Sequence, residues 1–391
     1  MKLYYIIEGR FVRKNGNVYS LGGFEKKIWD RYLKHFDKIC VIARVANDYD
    51  KELTDDMISS TENVEFIDLP YYVGFSEYIK NVFKIKEKLK QTIVNDGVYL
   101  CRLPSVIAKD VIKILNARDI PYFCEVVGDP WDVFSKGSIN HPLRGLIRIS
   151  LAYNLKKELR KCMGALYVTQ FKLQRRYPVK KNVFSIGVSD VIIPDENIPL
   201  THKIFVKKDI YKLVSVGSLD QLYKAPDIVL QSIKLLYERG FICNLTWLGD
   251  GKFKEQLLSM AKEIGIAEYV DFKGLVSREE VNSTLMDSDI FILVSRTEGL
   301  PRALVEAMSY GLPCIGSCVG GIPELLEDSV LVNKNDPIQL ANVLVKMITD
   351  TDFTNNQAKR NLDFTKEFSE TTLNKKRNTF FEHIKDVASK G

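Results

Sequence analysis

Two glutamates, Glu298 and Glu306, are the residues of this 391-residue chain whose types and spacing point most directly to chemistry. A short apolar run at 290–294, rich in β-branched residues, precedes them and is typical of a buried strand. Pro301 suits the first position of a helix, which needs no amide hydrogen. Gly311 is typical of a helix C-terminus. The pattern therefore predicts Glu298 on a strand-to-helix turn and Glu306 early in the helix that follows.

A turn of this kind suits a polyhydroxylated ligand that carries phosphate. The amides of Gly299, Leu300 and the first helical turn have no partner within the helix, so they can bind an anion or a sugar oxygen. A carboxylate accepts two hydroxyl hydrogen bonds at once, and a sugar or ribose diol provides them. The alternative is that Glu298 ends a loop and Glu306 is an ordinary solvated helix residue.

The residues around this turn resemble the Glu-x7-Glu motif of the retaining family-four glycosyltransferases, which have the GT-B fold. The match includes enzymes of bacterial capsule, exopolysaccharide and O-antigen synthesis, and it continues through 307–308 (Ala-Met), 311–313 (Gly-Leu-Pro), 320–321 (Gly-Gly) and 323–324 (Pro-Glu). In that family the first glutamate contacts the donor sugar and the second contacts the nucleotide ribose. The resemblance implies those roles for Glu298 and Glu306, and it implies donor contacts for the turn residues Gly299, Leu300, Pro301 and Arg302.

The second half of the chain predicts a doubly wound sheet that positions this turn. Candidate strands at 212–216, 244–248, 270–272, 290–294, 314–315 and 330–332 almost all end in small or polar residues. Ligands of such sheets bind at the carboxyl ends of the strands, so these turns should converge on one crevice. This prediction does not depend on the resemblance.

Lys224 stands just before a predicted helix in the turn after the first of these strands. A lysine there can reach a pyrophosphate and stabilise it as it departs, whereas an ordinary surface lysine is the alternative. Lys224 matches a lysine of the family, but Ser218 stands where the family often has another basic residue. The resemblance therefore leaves one diphosphate contact to be supplied by Arg302 or Arg296.

Two further turns of the second half match the family. Gly249 belongs to a Gly-Asp-Gly turn at 249–251 that resembles the family's own, and Val276 ends the segment, 274–276, whose backbone meets the base. The turn at 249–251 lacks the third glycine of a dinucleotide fingerprint. An NAD-dependent dehydrogenase is therefore disfavoured.

The first half predicts strands alternating with helices, which is typical of a parallel sheet covered on both faces. Candidate strands lie at 2–7, 39–43, 64–67, 98–101, 122–127, 165–168 and 183–186. A long polar loop is expected after the first of them, then Gly22 and Gly23 at the start of a helix, where family members place a Gly-Gly turn beside the donor diphosphate. Many relatives have a histidine where Gly128 stands here. Asp129, with Asp132 second, is the candidate for that polar role, and a loop aspartate is the alternative.

The whole chain is predicted to form two Rossmann-like domains facing across a cleft. An acceptor domain spans 1–190 and a donor domain 191–372, with residues from about 373 to 391 returning to the first. Residues 1–190 hold 32 Lys and Arg against 22 Asp and Glu, a net charge of +10, whereas the remainder holds 24 against 28, a net charge of −4. Basic stretches at 80–90 and 144–161 have apolar residues at helical spacing and suit either an anionic membrane surface or a solvated helix face.

Composition excludes several other classes of protein. No apolar run approaches the roughly 20 residues that span a bilayer, and the N-terminus lacks a signal-peptide pattern. Seven cysteines without CxxC pairs fit reduced thiols in a cytoplasmic protein. Two DxD strings, at 48–50 and 350–352, are weak indications of a metal site, so no metal or other cofactor is expected. Nothing indicates nucleic-acid binding.

The expected activity is transfer of a sugar from a UDP- or GDP-linked donor to a hydroxyl of a glycan or polyprenyl-linked acceptor, with retention at the anomeric carbon. Catalysis would depend on positioning and on electrostatic stabilisation of the leaving diphosphate, with Glu298, Lys224 and Asp129 as the catalytic candidates. The alternatives are a nucleotide-sugar epimerase or phosphorylase on the same fold, or a non-catalytic sugar-nucleotide-binding protein. Cell-surface polysaccharide synthesis, with docking on the inner membrane face, is the expected setting.

Overall fold

Two compact α/β units make up the chain. The structure, a computed structural model, describes residues 1–50, 52–133 and 144–389. The first unit comprises the described residues of 1–130, 149–188 and 374–391, and the second comprises those of 131–148 and 189–373.

Eight strands among the described residues form the sheet of the first unit. Their spatial order is β4-β3-β1-β5-β6-β7-β8, and β2 pairs with β1 outside this path. Only the β1–β2 pairing is antiparallel among the strand pairs described in this sheet. The seven strands predicted for this half are confirmed. The bounds are β1 (Lys2–Lys14), β2 (Asn17–Ser20), β3 (Lys38–Ala46), β4 (Val64–Leu69), β5 (Val98–Leu103), β6 (Tyr122–Val126), β7 (Gly164–Tyr167) and β8 (Phe184–Gly187).

The segment after the predicted first strand is a β-hairpin, so the expectation of a long polar loop is wrong. β1 continues to Lys14, and β2 returns antiparallel to it, with Lys14 opposite Asn17. Asn15 and Gly16 both have positive φ, 49° and 81°. Such a turn matches the twist of the flanking strands, which is why Asn-Gly is a strong hairpin signal.

Helices cover the sheet of the first unit. α3 is capped at its start by Ser105, whose Oγ accepts a hydrogen bond from the Ala108 amide at 3.0 Å. The helix expected to start at Gly22 and Gly23 is instead a 3-10 turn, Lys26–Ile28, followed by a short helix. The helices of this half are α1 (Asp30–Leu33), α2 (Gly74–Thr92), α3 (Val106–Ala117), α4 (Pro130–Val133), α5 (Arg144–Leu159) and α6 (Lys172–Arg176).

A six-stranded parallel sheet forms the centre of the second unit among the described residues. Its order, β11-β10-β9-β12-β13-β14, is the doubly wound order with the topological switch between β9 and β12. All six strands predicted for this half are confirmed. The bounds are β9 (Ile210–Val216), β10 (Ile242–Leu248), β11 (Val270–Gly274), β12 (Ile290–Leu293), β13 (Cys314–Ser317) and β14 (Leu331–Val332).

The helices of the second unit bury apolar faces against this sheet. α7 and α12 both begin with a proline, which is suited to the first helical position. Buried residues of α7, α10 and α12 belong to one hydrophobic core with the strands. The bounds are α7 (Pro226–Glu238), α8 (Lys254–Glu263), α9 (Arg278–Asp287), α10 (Arg302–Ser309), α11 (Ile322–Leu325), α12 (Pro337–Thr349) and α13 (Thr351–Thr365).

The last helix, α14 (Glu370–Ala388), continues into the first unit from residue 374. Phe380 packs edge-on against Phe123 of β6, with ring centroids 6.4 Å apart. His383 lies 3.0 Å from the Met163 carbonyl oxygen. Of the helices that the structure describes, none is long and apolar enough to cross a lipid bilayer.

Candidate functional site

Two glycine turns at the carboxyl ends of β9 and β10 pack backbone against backbone. Gly249 has φ of +138°, and a Cβ there would lie 2.2 Å from the Gly217 carbonyl oxygen. At Gly251, with φ of +152°, a Cβ would lie 2.1 Å from the Asp220 amide nitrogen. Both positions require glycine, since a side chain meets backbone and the conformation is unfavourable for L-residues.

These turns open onto a cavity of about 550 Å³ that we call the glycine-lined cavity. Its walls come from the carboxyl ends of β9, β10 and β11, as expected for a doubly wound sheet. Ser218 and Val276 line it, as does Gly249, so the structure brings these three predicted residues together. Leu275, which lies within the predicted segment 274–276, also lines the cavity. Sequence reasoning missed Asp220, another residue of the lining.

Ser218, which stands where a basic residue was expected, forms local hydrogen bonds with Asp220. Its Oγ accepts from the Asp220 amide at 3.1 Å and lies 3.2 Å from the Asp220 carboxylate. The carboxylate adds negative charge where the family often has a basic residue. A diphosphate near this wall therefore needs its cation from elsewhere.

Lys224 lies at the end of a 3-10 turn, Leu222–Lys224, directly before α7. The next residue, Ala225, is buried in the left-handed conformation with φ of 54°. The Lys224 stem crosses Gly217 so closely that a Cβ there would lie 2.8 Å from Lys224 Cγ. Lys224 is 9% exposed, so its ammonium group is held in one place rather than being an ordinary surface charge.

Glu298 and Lys224 form an ion pair that sequence reasoning did not predict. Lys224 Nζ lies 2.6 Å from Glu298 Oε2, and both side chains are largely buried. Ser295, which is fully buried, donates from Oγ to the same carboxylate oxygen at 3.0 Å. The two predicted catalytic groups therefore lie in direct contact, with the carboxylate oriented by a hydroxyl and an ammonium group.

A second glycine pair explains why the Glu298 turn has its shape. Gly320 has φ of +57°, and a Cβ there would lie 2.0 Å from the Glu298 carbonyl oxygen. The Gly321 amide donates to the Gly299 carbonyl oxygen at 2.7 Å. The Gly-Gly turn after β13 thus supports the backbone that carries Glu298 and Gly299.

α10 begins one residue later than the sequence predicted. Pro301 is the N-cap, with φ of −77° and ψ of 112°, and the first helical residue is Arg302. A proline fits the N-cap equally well because its φ is compatible with extended backbone. Gly311, with φ of +65°, follows the helix as predicted, and its amide donates to the Met308 carbonyl oxygen at 2.9 Å.

Glu306 and Arg302 share one side of α10. Glu306 is half-buried, and burial raises the pKa of its carboxyl group, with the Arg302 and Arg278 charges opposing that effect. Arg302 is exposed. A half-buried carboxylate one turn into the helix, with Leu300 packed against the core before it, fits a group that accepts hydroxyl hydrogen bonds from a ligand.

Arg296 does not point outward as an anion clamp. Its guanidinium group forms a bidentate pair with Asp227, at 2.9 and 2.6 Å. Its Nε donates to Asn335 at 2.7 Å. The hypothesis that Arg296 supplies the missing diphosphate contact is therefore wrong for this arrangement, because the side chain is already used within the unit.

Gly22 and Gly23 follow the hairpin of the first unit, and neighbouring side chains already satisfy their amides. The Gly22 amide donates to Ser20 Oγ at 3.2 Å, and the Gly23 amide donates to Glu25 Oε1 at 3.2 Å. Gly23 has φ of +74°, and nothing lies within 4 Å of a Cβ built there. The glycine serves the turn conformation, and close approach of a ligand to this turn stays a prediction.

Asp129, the third catalytic candidate, is tied into the first unit. Tyr177 donates from its hydroxyl to Asp129 Oδ1 at 2.6 Å, and Arg176 forms an ion pair with the other oxygen. The carboxylate thus follows β6, as predicted, but it has structural partners. The sequence contained no sign of this pairing, because Arg176 lies 47 residues away.

Among residues 1–50, 52–133 and 144–389, no group of three or more His, Cys, Asp or Glu side chains is arranged to hold a metal ion. One DxD string has a structural use. Asp350 caps α13, and its Oδ1 accepts from the Phe353 amide at 2.9 Å.

Two α/β units built on parallel sheets, with a site at the strand ends of the second, are the architecture of the GT-B fold. Solved Anabaena HepE in complex with UDP superposes with a TM-score of 0.64 over 98% of this chain and 100% of that chain, at 16% sequence identity. At that identity the likeness shows the fold.

The family follows from sequence comparison. The sequence profile described as "Glycosyl transferases group 1" matches residues 211–350. Protein CapJ of Staphylococcus aureus is 30% identical over 353 residues, which cover 89% of this chain and 86% of CapJ. The UDP-Gal:alpha-D-GlcNAc-diphosphoundecaprenol alpha-1,3-galactosyltransferase of Escherichia coli is 29% identical over 212 residues, 52% of this chain and 51% of that protein. The chain belongs to the group 1 glycosyltransferases and is a glycosyltransferase enzyme.

Proposed function

We propose that this enzyme transfers a sugar from a nucleotide-diphosphate sugar to an acceptor hydroxyl, with retention at the anomeric carbon, in cell-surface polysaccharide synthesis. The observation that carries the proposal is the contact between Lys224 and Glu298, 2.6 Å apart at the carboxyl edge of the sheet that also forms the glycine-lined cavity. A cation for a diphosphate and an acceptor of sugar hydroxyl hydrogen bonds are thereby held together.

The glycine-lined cavity supports a nucleotide as the donor's leaving group. Its volume of about 550 Å³ lies in the range of small-molecule sites. Its wall at Gly274, Leu275 and Val276 offers an apolar surface beside backbone polar groups for a base. HepE binds UDP in its solved complex, and the E. coli relative is named for UDP-galactose. We therefore propose a UDP- or GDP-linked donor.

The reaction assigns a separate task to each group. The bond between the sugar C1 and the diphosphate oxygen breaks, and a bond from C1 to the acceptor oxygen forms on the same face. The acceptor hydroxyl proton passes to the departing diphosphate, whose negative charge Lys224 stabilises. Glu298 orients the sugar through its hydroxyl groups, and Glu306 accepts from the ribose. This assignment uses no metal ion, so turnover should persist in excess EDTA.

A lipid-linked acceptor is the finer part of the proposal. α2 carries five lysines against two glutamates, and it exposes Ile79 and Phe83, the latter to 85%. α5 exposes Leu146, Ile149 and Tyr153 at helical spacing. Apolar residues flanked by lysines suit the interface of an anionic bilayer. The relative from E. coli is named for a diphosphoundecaprenol-linked acceptor. We place the enzyme in the cytoplasm, at the inner face of the membrane.

The experiment is a screen of UDP- and GDP-linked sugars against polyprenyl-diphosphate-linked and free glycan acceptors, with the linkage of the product determined by NMR. We expect a donor whose anomeric bond is α to give an α-linked product, since the proposed reaction retains the configuration. We expect no turnover without acceptor. Turnover without acceptor would favour an epimerase, and turnover that needs free phosphate would favour a phosphorylase. Nucleotide binding with no turnover by any pair would favour a non-catalytic protein.

A further inference from the structure

Arg296 connects three turns at the carboxyl edge of the second unit. One guanidinium nitrogen donates both to the Leu222 carbonyl oxygen and to Asp227 Oδ1, and the other donates to Asp227 Oδ2. Nε donates to Asn335 Oδ1 in the turn after β14. Four of the five guanidinium N–H groups are therefore used inside the unit.

The backbone of Arg296 repeats the connection. Its amide donates to the Tyr223 carbonyl oxygen at 2.7 Å. Tyr223 directly precedes Lys224, and Arg296 lies two residues before Glu298. The Lys224–Glu298 ion pair and this backbone hydrogen bond thus close a small ring between the turn after β9 and the turn after β12.

The Lys224 turn needs such support because its backbone is unfavourable. Ala225 adopts φ of 54°, a left-handed conformation that costs a non-glycine residue about 1 kcal/mol or more. Asn335 adopts a similar conformation, with φ of 62°. Arg296 binds the turns that contain both residues, and Asp227 in the first turn of α7 supplies the opposite charge.

We propose that Arg296, held by Asp227, is the positioning residue that sets the separation of Lys224 from Glu298. This inference rests on the proposed function, in which those two groups contact the donor. Arg296 itself contacts no substrate. Lysine cannot replace it, because an ammonium group lacks the planar fork that binds both carboxylate oxygens and a carbonyl at once.

The test uses the single variants Arg296→Lys and Asp227→Asn. Each substitution is also combined with Lys224→Ala to give a double variant. We expect Arg296→Lys to lower kcat by about 30-fold while the donor KM changes less than about fivefold. In the Lys224→Ala background the same change should cost less than about threefold, since groups that act through one another are not additive. Equal cost in both backgrounds would overturn the proposal. Asp227→Asn, a smaller perturbation, should follow the same pattern.

A matched control is available in the first unit. Arg13 forms a bidentate pair with Asp68 at 2.6 and 2.7 Å, with similar exposure, in the hairpin strand β1. Arg13→Lys breaks a bidentate ion pair of the same kind and should lower Tm, but it should change kcat less than about twofold. An equal loss of kcat in Arg13→Lys would show that a general loss of stability explains the effect.

A crystal structure of the Arg296→Lys variant separates this proposal from the proposed function. We expect the distance between Lys224 Nζ and Glu298 Oε2 to exceed 4 Å. Retention of the 2.6 Å contact would overturn the positioning role even if sugar transfer is observed. A lengthened contact in the variant, together with a wild-type protein that transfers no sugar, would support the positioning role while refuting the proposed function.

Discussion

Lys224 and Glu298 neutralise each other, so a donor that binds as proposed must replace this ion pair with its own contacts. Both side chains are about nine-tenths buried, so removing one leaves the other as an uncompensated buried charge. Under the proposed function, a diphosphate that binds Lys224 would replace the carboxylate as its counter-ion. Glu298 would then accept hydrogen bonds from sugar hydroxyls, so that diphosphate binding and sugar orientation are coupled.

Glu298→Gln should lower kcat by about 100-fold, because an amide keeps the shape but not the charge that orients the sugar hydroxyls. The measurement is the initial rate at saturating donor. Glu263→Gln, on the exposed face of α8, is the control and should keep wild-type turnover. A Glu298→Gln rate within about threefold of wild type would remove Glu298 from the site.

Lys224→Ala should weaken binding of UDP much more than binding of uridine. The nucleoside is expected to occupy the glycine-lined cavity, whereas Lys224 is expected to contact the diphosphate, so only UDP loses a charge-assisted contact. Calorimetry should give a UDP affinity at least about tenfold lower, since such contacts contribute about 1.5–3 kcal/mol. Lys234→Ala, on α7, is the control. Equal weakening of UDP and uridine would contradict the assignment.

Glu158 predicts a pH dependence of stability in the first unit. Burial raises the pKa of its carboxyl group from 4.5 to about 7, with Lys109 and Lys113 opposing the shift and Asp110 adding to it. The unfolded chain therefore releases this proton at lower pH than the folded chain. Stability should fall as pH rises from about 4.5 to about 7, by up to about 3 kcal/mol, and then stay level.

Urea unfolding at pH 5 and pH 8 checks this prediction in the wild type and in Glu158→Gln. The neutral amide should abolish most of the difference between the two pH values and make the variant the more stable protein at pH 8. Glu263→Gln should retain the wild-type difference. An unchanged difference in Glu158→Gln would mean that Glu158 ionises normally in the folded chain.

The sequence predicted the types of residue at the site better than their pairing. Glu298, Glu306 and Lys224 were identified because strand-end turns, a helix start and a family motif all indicated them. The Lys224–Glu298 contact joins positions 74 residues apart, and no local pattern encodes that distance. Arg296 was misassigned for the same reason, since its partners lie on two other turns.

The strands with a clear apolar pattern were predicted correctly, whereas the hairpin strand β2 and the broken helix before β3 were not. The apolar runs of all thirteen expected strands match strands of the structure. β2 was missed because Val18 and Tyr19 are only a short apolar signal after a polar tip. The Asn15–Gly16 pair could have predicted the hairpin, since both residues tolerate positive φ.

Gly320→Ala should damage the site, whereas Gly265→Ala should not, although both glycines have similar φ of +57° and +73°. At Gly265 nothing lies within 4 Å of a new Cβ, so the cost is the backbone conformation, about 1 kcal/mol. At Gly320 the Cβ also meets the Glu298 carbonyl oxygen at 2.0 Å.

Measured by urea unfolding and by initial rate, Gly320→Ala should lose more stability than Gly265→Ala and at least about tenfold in kcat, because Glu298 is displaced. Gly265→Ala should keep wild-type turnover. Equal effects of the two substitutions would mean that the turn after β13 does not support the Glu298 backbone.

At the scale of the whole molecule, the fold does not explain the charge difference between the two halves. The fold of each unit follows from apolar periodicity and strand-end turns, which would be the same at any net charge. We propose that the charges of +10 on residues 1–190 and −4 on the remainder reflect binding of the first half to an anionic membrane surface. Of the two basic stretches, the one on α5 is the weaker candidate for that surface. Its Arg148 stacks on Trp131 at 3.8 Å and donates to the Trp131 carbonyl oxygen, so this charge already has partners within the protein.

α2 is consequently the sharper place to test membrane docking. Ile79 and Phe83 are exposed on it beside Lys80 and Lys84, and its opposite face packs into the core of the first unit through Ile85 and Leu89. Two apolar side chains exposed among lysines gain nothing from folding. They would gain burial at a lipid interface, while the lysines would be attracted to anionic head groups.

Sedimentation with anionic phosphatidylglycerol vesicles and with neutral phosphatidylcholine vesicles tests the prediction. Wild type should bind the anionic vesicles preferentially. Lys80→Glu/Lys84→Glu should reduce that binding by at least about 30-fold, since each lysine near the surface contributes about 1 kcal/mol and each glutamate is repelled. Phe83→Ser should weaken vesicle binding without changing the salt dependence of that binding.

The control is Lys262→Glu/Lys359→Glu, which changes net charge equally on exposed positions of the second unit and should bind as wild type does. Binding that follows net charge alone, with both double variants equally impaired, would show that α2 is no specific docking face and would favour a soluble acceptor.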